Sequence, residues 1–224
     1  AYYVRDNEPW NATNNPTAMT AVFGAGNYTT FTYANATPAT VFSPNTRFVF
    51  LEGSDGNALA LNSYFTANQA AIESWVNAGG RLFLNAAPNG GGNMNWGFGG
   101  VVLNYNSAQG TVNVNALHPI AAGPFTPAGA GPYSGSSYSH AHVTGGGATP
   151  IITGGGVNVL SELTWGTGKV LFGGITQPQF HSPAPNAQNL WQNIISYTAG
   201  PPLTYTYSWA PGGDTTSSIT ATTS

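Results

Sequence analysis

The stretch TANQAAIESWVNAGGRLFLNAAP (residues 66–88) decides the fold class. Its first half carries an apolar stripe at the spacing of one α-helix face: Ala71, Ile72, Trp75 and Val76. Thr66 and Gln69 match a capping box at a helix start, and the glycines at 79–80 match a helix end. Residues 82–84 (LFL) then predict a strand that is covered on both faces. The stretch therefore predicts a helix-to-strand unit of an α/β domain.

Strand and helix patterns alternate on both sides of this unit. The predicted strands are residues 1–4 (AYYV), 28–33 (YTTFTY) and 47–51 (RFVFL), and the predicted helices are 17–23 and 186–197. Asn186 stands where the second helix needs a cap. This alternation predicts an α/β fold with a mostly parallel sheet and helices on both of its faces.

Residues 89–100, NGGGNMNWGFGG, form a glycine-rich connection. A phosphate cradle would need G-x-G-x-x-G between a strand and a helix, or a following Lys-Ser/Thr, and neither is present. Beyond this connection, residues 111–114 and several short segments from residue 140 onward predict strands, and the last of them lies in TWGTGKVLFGGI at 164–175.

Charge is the outlier of the composition. Only 5% of the residues are charged, against about 25% in typical domains, and the net charge is −3. We expect no binding to nucleic acid, because there is no basic patch, and no membrane span, because no apolar run is long enough. The absence of cysteine excludes disulfides and thiol catalysis. A neutral surface rich in Asn, Thr and Tyr suits contact with sugars and suggests an extracellular bacterial protein.

Acidic residues follow the predicted strand 47–51. Glu52 and Asp55 lie at its carboxyl end, where open α/β sheets bind ligands. With Asp6 or Glu8, which follow the first strand, they would offer the oxygen ligands that Ca²⁺ prefers. The alternative is a set of turn acids and helix caps. The sequence leaves both interpretations open.

Two further sets of residues are candidates for chemistry. His140 and His142 would face the same side of a strand and could share a zinc ion, although exposed strand histidines give the same pattern. Glu52 and Glu162 would be the carboxylates of a glycoside hydrolase, which needs two such groups.

Three fragments in order resemble the class I glutamine amidotransferase-like superfamily. They are IESWVNAGGRLFLN (residues 72–85), LHPIAAGP (117–124), and WGTGKVLFGG (165–174) followed by a helix that ends in NIISY. The resemblance covers residues 1–199 and implies a flavodoxin-like α/β domain. Amidotransferase activity would need a cysteine after Leu84, and a histidine and a glutamate late in the chain. His181, in QFHSP, matches the catalytic histidine, but there is no cysteine and no later glutamate. The resemblance thus implies the fold without that activity.

The chain changes character after Gly200-Pro201-Pro202. Residues 203–224 alternate Leu, Tyr and Trp with Thr and Ser around the turn APGGD, which is a β-hairpin pattern. Residues 200–224 resemble a linker and the start of an Ig-like or PKD-like repeat in surface adhesins of Bacteroidetes, many of which are exported by the type IX system. Thr215 resembles the O-glycosylation acceptor of that phylum. We expect an incomplete β-sandwich repeat here.

Taken together, these features predict a non-catalytic extracellular module of a large bacterial surface protein. It would serve adhesion, or present a ligand-contact face to a glycan, formed by loops at 52–57, 85–96 and 177–182. The candidate contact residues are Glu52, Asp55, Asn85, Trp96 and His181. The alternative is a carbohydrate-active hydrolase that uses Asp and Glu carboxylates.

Overall fold

A ten-stranded mixed sheet organises residues 1–201, the part of the chain that the computed structural model describes. The strands are β1 (Tyr2–Val4), β2 (Thr29–Phe31), β3 (Phe48–Glu52), β4 (Arg81–Asn85), β5 (Met94–Asn95), β6 (Val102–Val114), β7 (Tyr133–Thr144), β8 (Thr149–Gly154), β9 (Val157–Trp165) and β10 (Gly168–Gly173). The helices are α1 (Asn14–Phe23), α2 (Pro38–Val41), α3 (Ala58–Asn77), α4 (Pro119–Ala122) and α5 (Asn186–Ala199), and short 3-10 turns lie at Pro9–Asn11 and Pro178–Phe180. The predicted β-sandwich start and Thr215 lie outside the described residues.

The strand order is β2-β1-β3-β4-β10-β9-β8-β6-β5, and β7 pairs with β6. The first five strands of this order are mutually parallel, and they follow the sequence 2-1-3-4-5 when they are counted along the chain. The α/β class is therefore confirmed. Among the described residues, no helix is long and apolar enough to cross a membrane.

The prediction of a mostly parallel sheet is wrong for the second half of the chain. Strands β8, β9 and β10 pair antiparallel because only short turns join them, whereas a parallel neighbour needs a long crossover. Gly155 and Gly156 form the turn between β8 and β9 with φ values of 56° and 81°. Two successive residues with positive φ are typical of a tight hairpin turn, and glycine adopts them without a Cβ penalty.

The deciding stretch folds as the predicted helix and strand, but the helix begins earlier. Thr66 and Gln69 lie in the middle of α3, so the predicted capping box is wrong. The helix extends back to residue 58 because Leu61 and Phe65, both buried, continue its apolar stripe. At its other end Gly79 adopts a φ of 111°, and β4 follows as a buried strand, as predicted.

Apolar cores lie on the two faces of the parallel strands. The α3 face packs around Trp75 and Val76, and the α1–α5 face contains Phe50, Phe83 and Trp191. The rings of Phe50 and Phe83 stack with centroids 4.6 Å apart. The predicted second helix is confirmed as α5, but its cap is not, because Asn186 Nδ2 donates to the carbonyl of Ala128 instead.

Candidate ligand-binding site

The carboxyl ends of the parallel strands gather four loops at one edge of the sheet. These loops are residues 5–13 after β1, 53–57 after β3, 86–93 after β4 and 174–185 after β10. Strand β1 lies between β2 and β3, so the connections that leave β1 and β3 diverge at this point. Open α/β sheets bind ligands in the crevice outside such a divergence. The strand order therefore indicates the loops after β1 and β3 as the candidate ligand-binding site.

Asn57 ties these two loops together, although it is nearly inaccessible at 2% exposure. Its Oδ1 accepts from the backbone N–H groups of Asp6 and Asn7 at 3.1 and 2.9 Å. Its Nδ2 donates to the carbonyls of Asn7 and Ser54. One buried amide thus makes four hydrogen bonds and fixes the loop after β1 against the loop after β3.

Backbone strain concentrates at the same place. Trp10 and Asn11 both have a φ of 52°, and Asp55 has a φ of 55°. Each such residue in the left-handed region costs roughly 1–3 kcal/mol, which the surrounding structure must offset. Asp55 supplies part of that support, because its Oδ2 accepts from the Trp10 backbone N–H at 2.9 Å. Outliers of this kind cluster at functional sites.

The side chain of Trp10 belongs to a small aromatic cluster at the surface. Its ring meets those of His140 and Phe180 edge to face, with centroids 5.8 and 5.3 Å apart. Trp10 and His140 are half-buried, and Phe180 is 39% exposed. Asn89, which is exposed, donates to Asp55 Oδ1 at 2.6 Å. We call this set (Trp10, Asp55, Asn89, His140 and Phe180) the Trp10 face.

The loop after β10 adds one unusual group beside this face. Gln177 directly precedes the 3-10 turn that carries Phe180, and it is only 1% exposed. Neither atom of its side-chain amide has a hydrogen-bond partner among the described residues. A buried polar group without a partner is rare in native proteins and calls for an explanation.

Glu52 lies beneath the Trp10 face, and it is internal, with 1% exposure. Its carboxylate accepts from Asn15 Nδ2 at 2.9 Å and from the Ser54 backbone N–H at 2.7 Å. Asn15 also donates to Tyr3 Oη, which in turn donates to Glu8 Oε2. Burial raises the pKa of Glu52 to about 7, because these hydrogen bonds only partly compensate for the loss of water. Glu52 therefore lies inside the protein, whereas the sequence predicts it as a surface contact for a ligand.

Asn85 is likewise an internal cross-link and no contact residue. Fully buried, it donates to Ser54 Oγ and to the carbonyl of Ile175, and its Oδ1 accepts from the Ile175 N–H. Ser54 Oγ also accepts from the Ala87 N–H at 3.0 Å. This pattern joins the ends of β3, β4 and β10. No nucleophile stands after β4, where Ala86 and Ala87 are both inaccessible.

Two other predicted contact residues are also internal. Trp96 is 0% exposed and its ring stacks on Phe172, with centroids 6.0 Å apart, whereas the sequence predicts it as a surface contact. His181 is 6% exposed and stacks on Tyr138 at 4.0 Å, while its Nε2 shares a 2.8 Å hydrogen bond with Thr176 Oγ1. Burial lowers the pKa of His181 to about 3, so the imidazole is neutral at physiological pH.

The structure does not group the residues that the sequence predicts as metal ligands. No three of the histidine, aspartate and glutamate side chains within residues 1–201 are grouped so that they could hold a metal ion. Asp6 Oδ1 accepts from the Tyr33 N–H, and Asp55 and Glu52 have the partners given above, so the calcium set Asp6, Glu52 and Asp55 is not brought together. His140 Nδ1 meets the carbonyl of Pro88 at 3.1 Å, and His142 Nδ1 is buried without a partner.

Glu162 belongs to a separate cluster elsewhere in the sheet. It accepts from Lys169 Nζ at 2.7 Å and from Tyr197 Oη at 2.8 Å, and His118 Nε2 lies 3.6 Å away. His118, Lys169 and Tyr197 lower the pKa of Glu162 to about 2. Strands β3 and β9 are three strand spacings apart, which is about 14 Å. Paired carboxylates in glycosidases lie within about 10 Å, so Glu52 and Glu162 do not form such a pair.

Sequence reasoning missed most of the Trp10 face. The predicted contact loops contain Asp55, Asn89 and Phe180, but of these only Asp55 is a predicted contact residue, and His140 is predicted only as a zinc ligand. Trp10 had a usable signal, because it is a tryptophan in a polar loop directly after the first strand. Phe180 stands beside the predicted His181 in QFHSP, but nothing in the sequence brings it next to Trp10.

No protein-family model matches the sequence, and no curated protein matches it either. A cytoplasmic protein of Salmonella typhimurium is similar in structure, with a TM-score of 0.50 at 11% identity, over 88% of this chain and 98% of that one. The β-galactosidases of Rahnella sp. R3 and Bacillus circulans sp. alkalophilus align over 88% and 92% of this chain, each with a TM-score of 0.49, at 12% and 11% identity. This chain spans 31% and 32% of their lengths. At these identities the similarity concerns the fold alone.

Proposed function

We propose that this chain is a ligand-binding module of a bacterial surface protein and that the Trp10 face contacts a neutral glycan. The scaffold in this proposal is a flavodoxin-like, amidotransferase-like domain that lacks the amidotransferase reaction. The parallel strand order 2-1-3-4-5 supports that scaffold, because flavodoxin-like sheets have this order. The low charge of the chain and the resemblance of its C-terminal residues to surface repeats support the location.

The observation that carries the proposal is the strained, half-buried Trp10 at the strand divergence. The structure holds this ring at the surface by two left-handed residues, by the Asp55 carboxylate and by the Asn57 bridge. A rigid aromatic ring offers a large contact area at low entropic cost, and binding sites commonly use such rings as anchors. Phe180 extends the apolar area with its exposed ring.

The polar groups around the ring favour a neutral, hydroxylated ligand. Asp55, which holds the Trp10 backbone, and Asn89, which bonds to Asp55, add a carboxylate and an amide, and such groups pair readily with hydroxyl groups. No arginine or lysine contributes to the Trp10 face, so an anionic ligand has no counter-charge there. A sugar offers an apolar ring face and a rim of hydroxyls, which matches this arrangement.

A binding screen with a matched control tests this function. The full chain would be titrated against immobilised neutral and acidic polysaccharides, and Trp10→Ala should weaken binding at least about tenfold, which corresponds to about 1.4 kcal/mol. Leu117→Ala is the control, because Leu117 is an apolar side chain that is 94% exposed and lies outside the Trp10 face. Unchanged binding by Trp10→Ala would refute the assignment of the face.

The alternative, a carbohydrate-active hydrolase, has one observation in its favour. A glutamate whose pKa is about 7 is suited to general acid catalysis, and Glu52 is connected to Glu8 through Asn15 and Tyr3. The burial of Glu52 disfavours the hydrolase, because a catalytic acid must reach the glycosidic oxygen. Release of sugar from a polysaccharide by the parent chain, abolished by Glu52→Gln, would favour the hydrolase over the binding module.

A further inference from the structure

A second exposed apolar side chain lies near the Trp10 face, at the same edge of the sheet. Within residues 1–201, three large apolar side chains are exposed: Leu59, Leu117 and Phe180. Phe180 belongs to the Trp10 face. Leu59, at 69% exposure, lies in the first turn of α3, which begins directly after the loop that contains Asp55. This edge of the sheet therefore carries an apolar group that the Trp10 face does not include.

A series of contacts joins Leu59 to the Trp10 face. The loops after β3 and β4 run side by side, because Asp55 and Pro88 form a parallel bridge. Next along the second loop, Asn89 donates to the Asp55 carboxylate at 2.6 Å. This loop then reaches Gly91, where a Cβ would stand 3.6 Å from Leu59 Cδ2. The loop after β4 thus connects the Asp55–Asn89 pair to Leu59.

The surface between these contacts is open. Gly56 and Gly90 lie on the two loops and are exposed, and a Cβ at either position would meet no atom within 4 Å. Neither glycine has a positive φ, so backbone strain does not require glycine there. Glycine also serves where a backbone must approach a ligand closely. We call Gly56, Gly90, Gly91 and Leu59 the Leu59 strip.

The Trp10 face and the Leu59 strip together cross the edge of the sheet. Trp10 lies in the loop that leads to α1, and Leu59 lies in the first turn of α3. Helices α1 and α3 pack on opposite faces of the parallel strands. Their axes are therefore more than one helix diameter apart, which is about 10 Å. A single sugar ring is too short to contact both ends of this surface, whereas a chain of linked sugars can do so.

We propose that the ligand of the Trp10 face is a linear neutral oligosaccharide whose chain continues over the Leu59 strip, with Leu59 as its second apolar contact. This inference rests on the proposed function, because it specifies the ligand of the same face. One sugar unit stacks at Trp10 and Phe180, and the following units cross the open backbone at Gly56 and Gly90. The apolar groups at the two ends suit sugar ring faces, and the polar Asp55–Asn89 pair between them suits hydroxyl groups.

Calorimetric titration of the full chain tests the proposal with linear glucans, mannans and xylans, each offered as oligomers of increasing length. The parent should bind at least one series, and its affinity should rise about tenfold or more from the shortest oligomer that binds to the longest. Leu59→Ser should weaken binding of the long oligomers about fivefold and leave that of the shortest unchanged, because it removes one apolar contact. Leu117→Ser is the control, since it removes an exposed leucine outside the strip.

A second variant obstructs the strip. Gly90→Ile places a stiff, β-branched side chain over the open backbone, where the free chain has room for it, so the variant should fold. Its affinity for the long oligomers should fall about tenfold. Ala71→Ile is the matched control, because it puts the same side chain on an exposed position of α3 about 18 Å along the helix from Leu59. This control should bind like the parent.

An affinity that does not depend on oligomer length would overturn the proposal. So would unchanged affinity for the long oligomers in both Leu59→Ser and Gly90→Ile. If Trp10→Ala still weakens binding in either case, the Trp10 face keeps its function and its ligand is a short sugar. A parent chain that binds none of the three series, or a Trp10→Ala chain that binds like the parent, would instead contradict the proposed function itself.

Discussion

Two tryptophans in loops of this protein differ in almost every physical respect. Trp96, in the connection from β4 to β6, is inaccessible and stacks on Phe172 at an interplanar angle of 20°. Trp10, in the loop after β1, is half-buried, has a left-handed backbone and meets the rings of His140 and Phe180 edge to face. The Trp96 ring is part of the core, whereas the Trp10 ring is held at the surface by a strained backbone.

The difference teaches how to separate structural from functional aromatic residues. The Trp96 ring packs face to face in the interior and contributes its apolar burial to the fold, while its Nε1 has no hydrogen-bond partner among the described residues. A ring that is kept half-exposed by strained residues returns less and requires support, here from Asp55 and Asn57. Such an arrangement is difficult to explain by stability alone, so the Trp10 face is the better candidate for ligand contact.

The largest expected effect is the loss of stability when the internal ring is removed. Trp96→Ala should lower the free energy of unfolding by about 3–5 kcal/mol, because it leaves a cavity against Phe172. Trp10→Ala should cost less than half as much, since its ring is only partly buried. Urea unfolding of the three chains measures this difference. Equal losses in the two variants would contradict the distinction between the rings.

The next effect concerns Glu52, which lies under the loop that carries Trp10. Its pKa is raised to about 7 in the folded chain and is about 4.5 when it is free, so the folded state binds more protons between these values. The stability contributed by neutral Glu52 is therefore fully present below pH 4.5, and it decreases as the pH rises to about 7. The expected loss across this range is about 3 kcal/mol.

Glu52→Gln isolates that contribution, because glutamine mimics the neutral acid. The free energies of unfolding of the parent and the variant would be compared from pH 4.5 to 8, and the parent should lose stability relative to the variant over this range. His181, whose pKa is lowered to about 3, changes stability in the opposite direction below pH 6.5, but its contribution is common to both chains. Parallel curves for the two chains would contradict the burial of Glu52.

The sequence was sufficient for the parallel half of the fold because its signals are local. The stripe of Ile72, Trp75 and Val76, the glycine stop and the apolar LFL run each act within a few residues, and all are found in α3 and β4. The antiparallel direction of β8 and β9 could not be predicted in the same way. It depends on how tightly residues 155–156 and 166–167 turn, and strand patterns alone do not determine this.

The candidate site was harder to predict because its decisive features are not local. Glu52 and Asn85 end strands β3 and β4, and Trp96 and His181 lie in the expected loops, but all four side chains are internal. Burial of a loop side chain depends on partners far away in the sequence, as in the bond from Asn85 to Ile175. The left-handed backbone of Trp10 is likewise held by Asp55, 45 residues away. No local residue pattern indicates this conformation.

The most direct test of the central claim is the dissociation constant of one neutral glycan for the parent, Trp10→Ala and Trp10→Phe chains. We predict at least about tenfold weaker binding for Trp10→Ala and a substantial recovery for Trp10→Phe, which restores an aromatic ring at the same position. Both variants should remain folded, since Trp10→Ala costs less than half the stability that Trp96→Ala does, so that weaker binding reflects a lost contact. Equal dissociation constants for all three chains would contradict a glycan-binding Trp10 face.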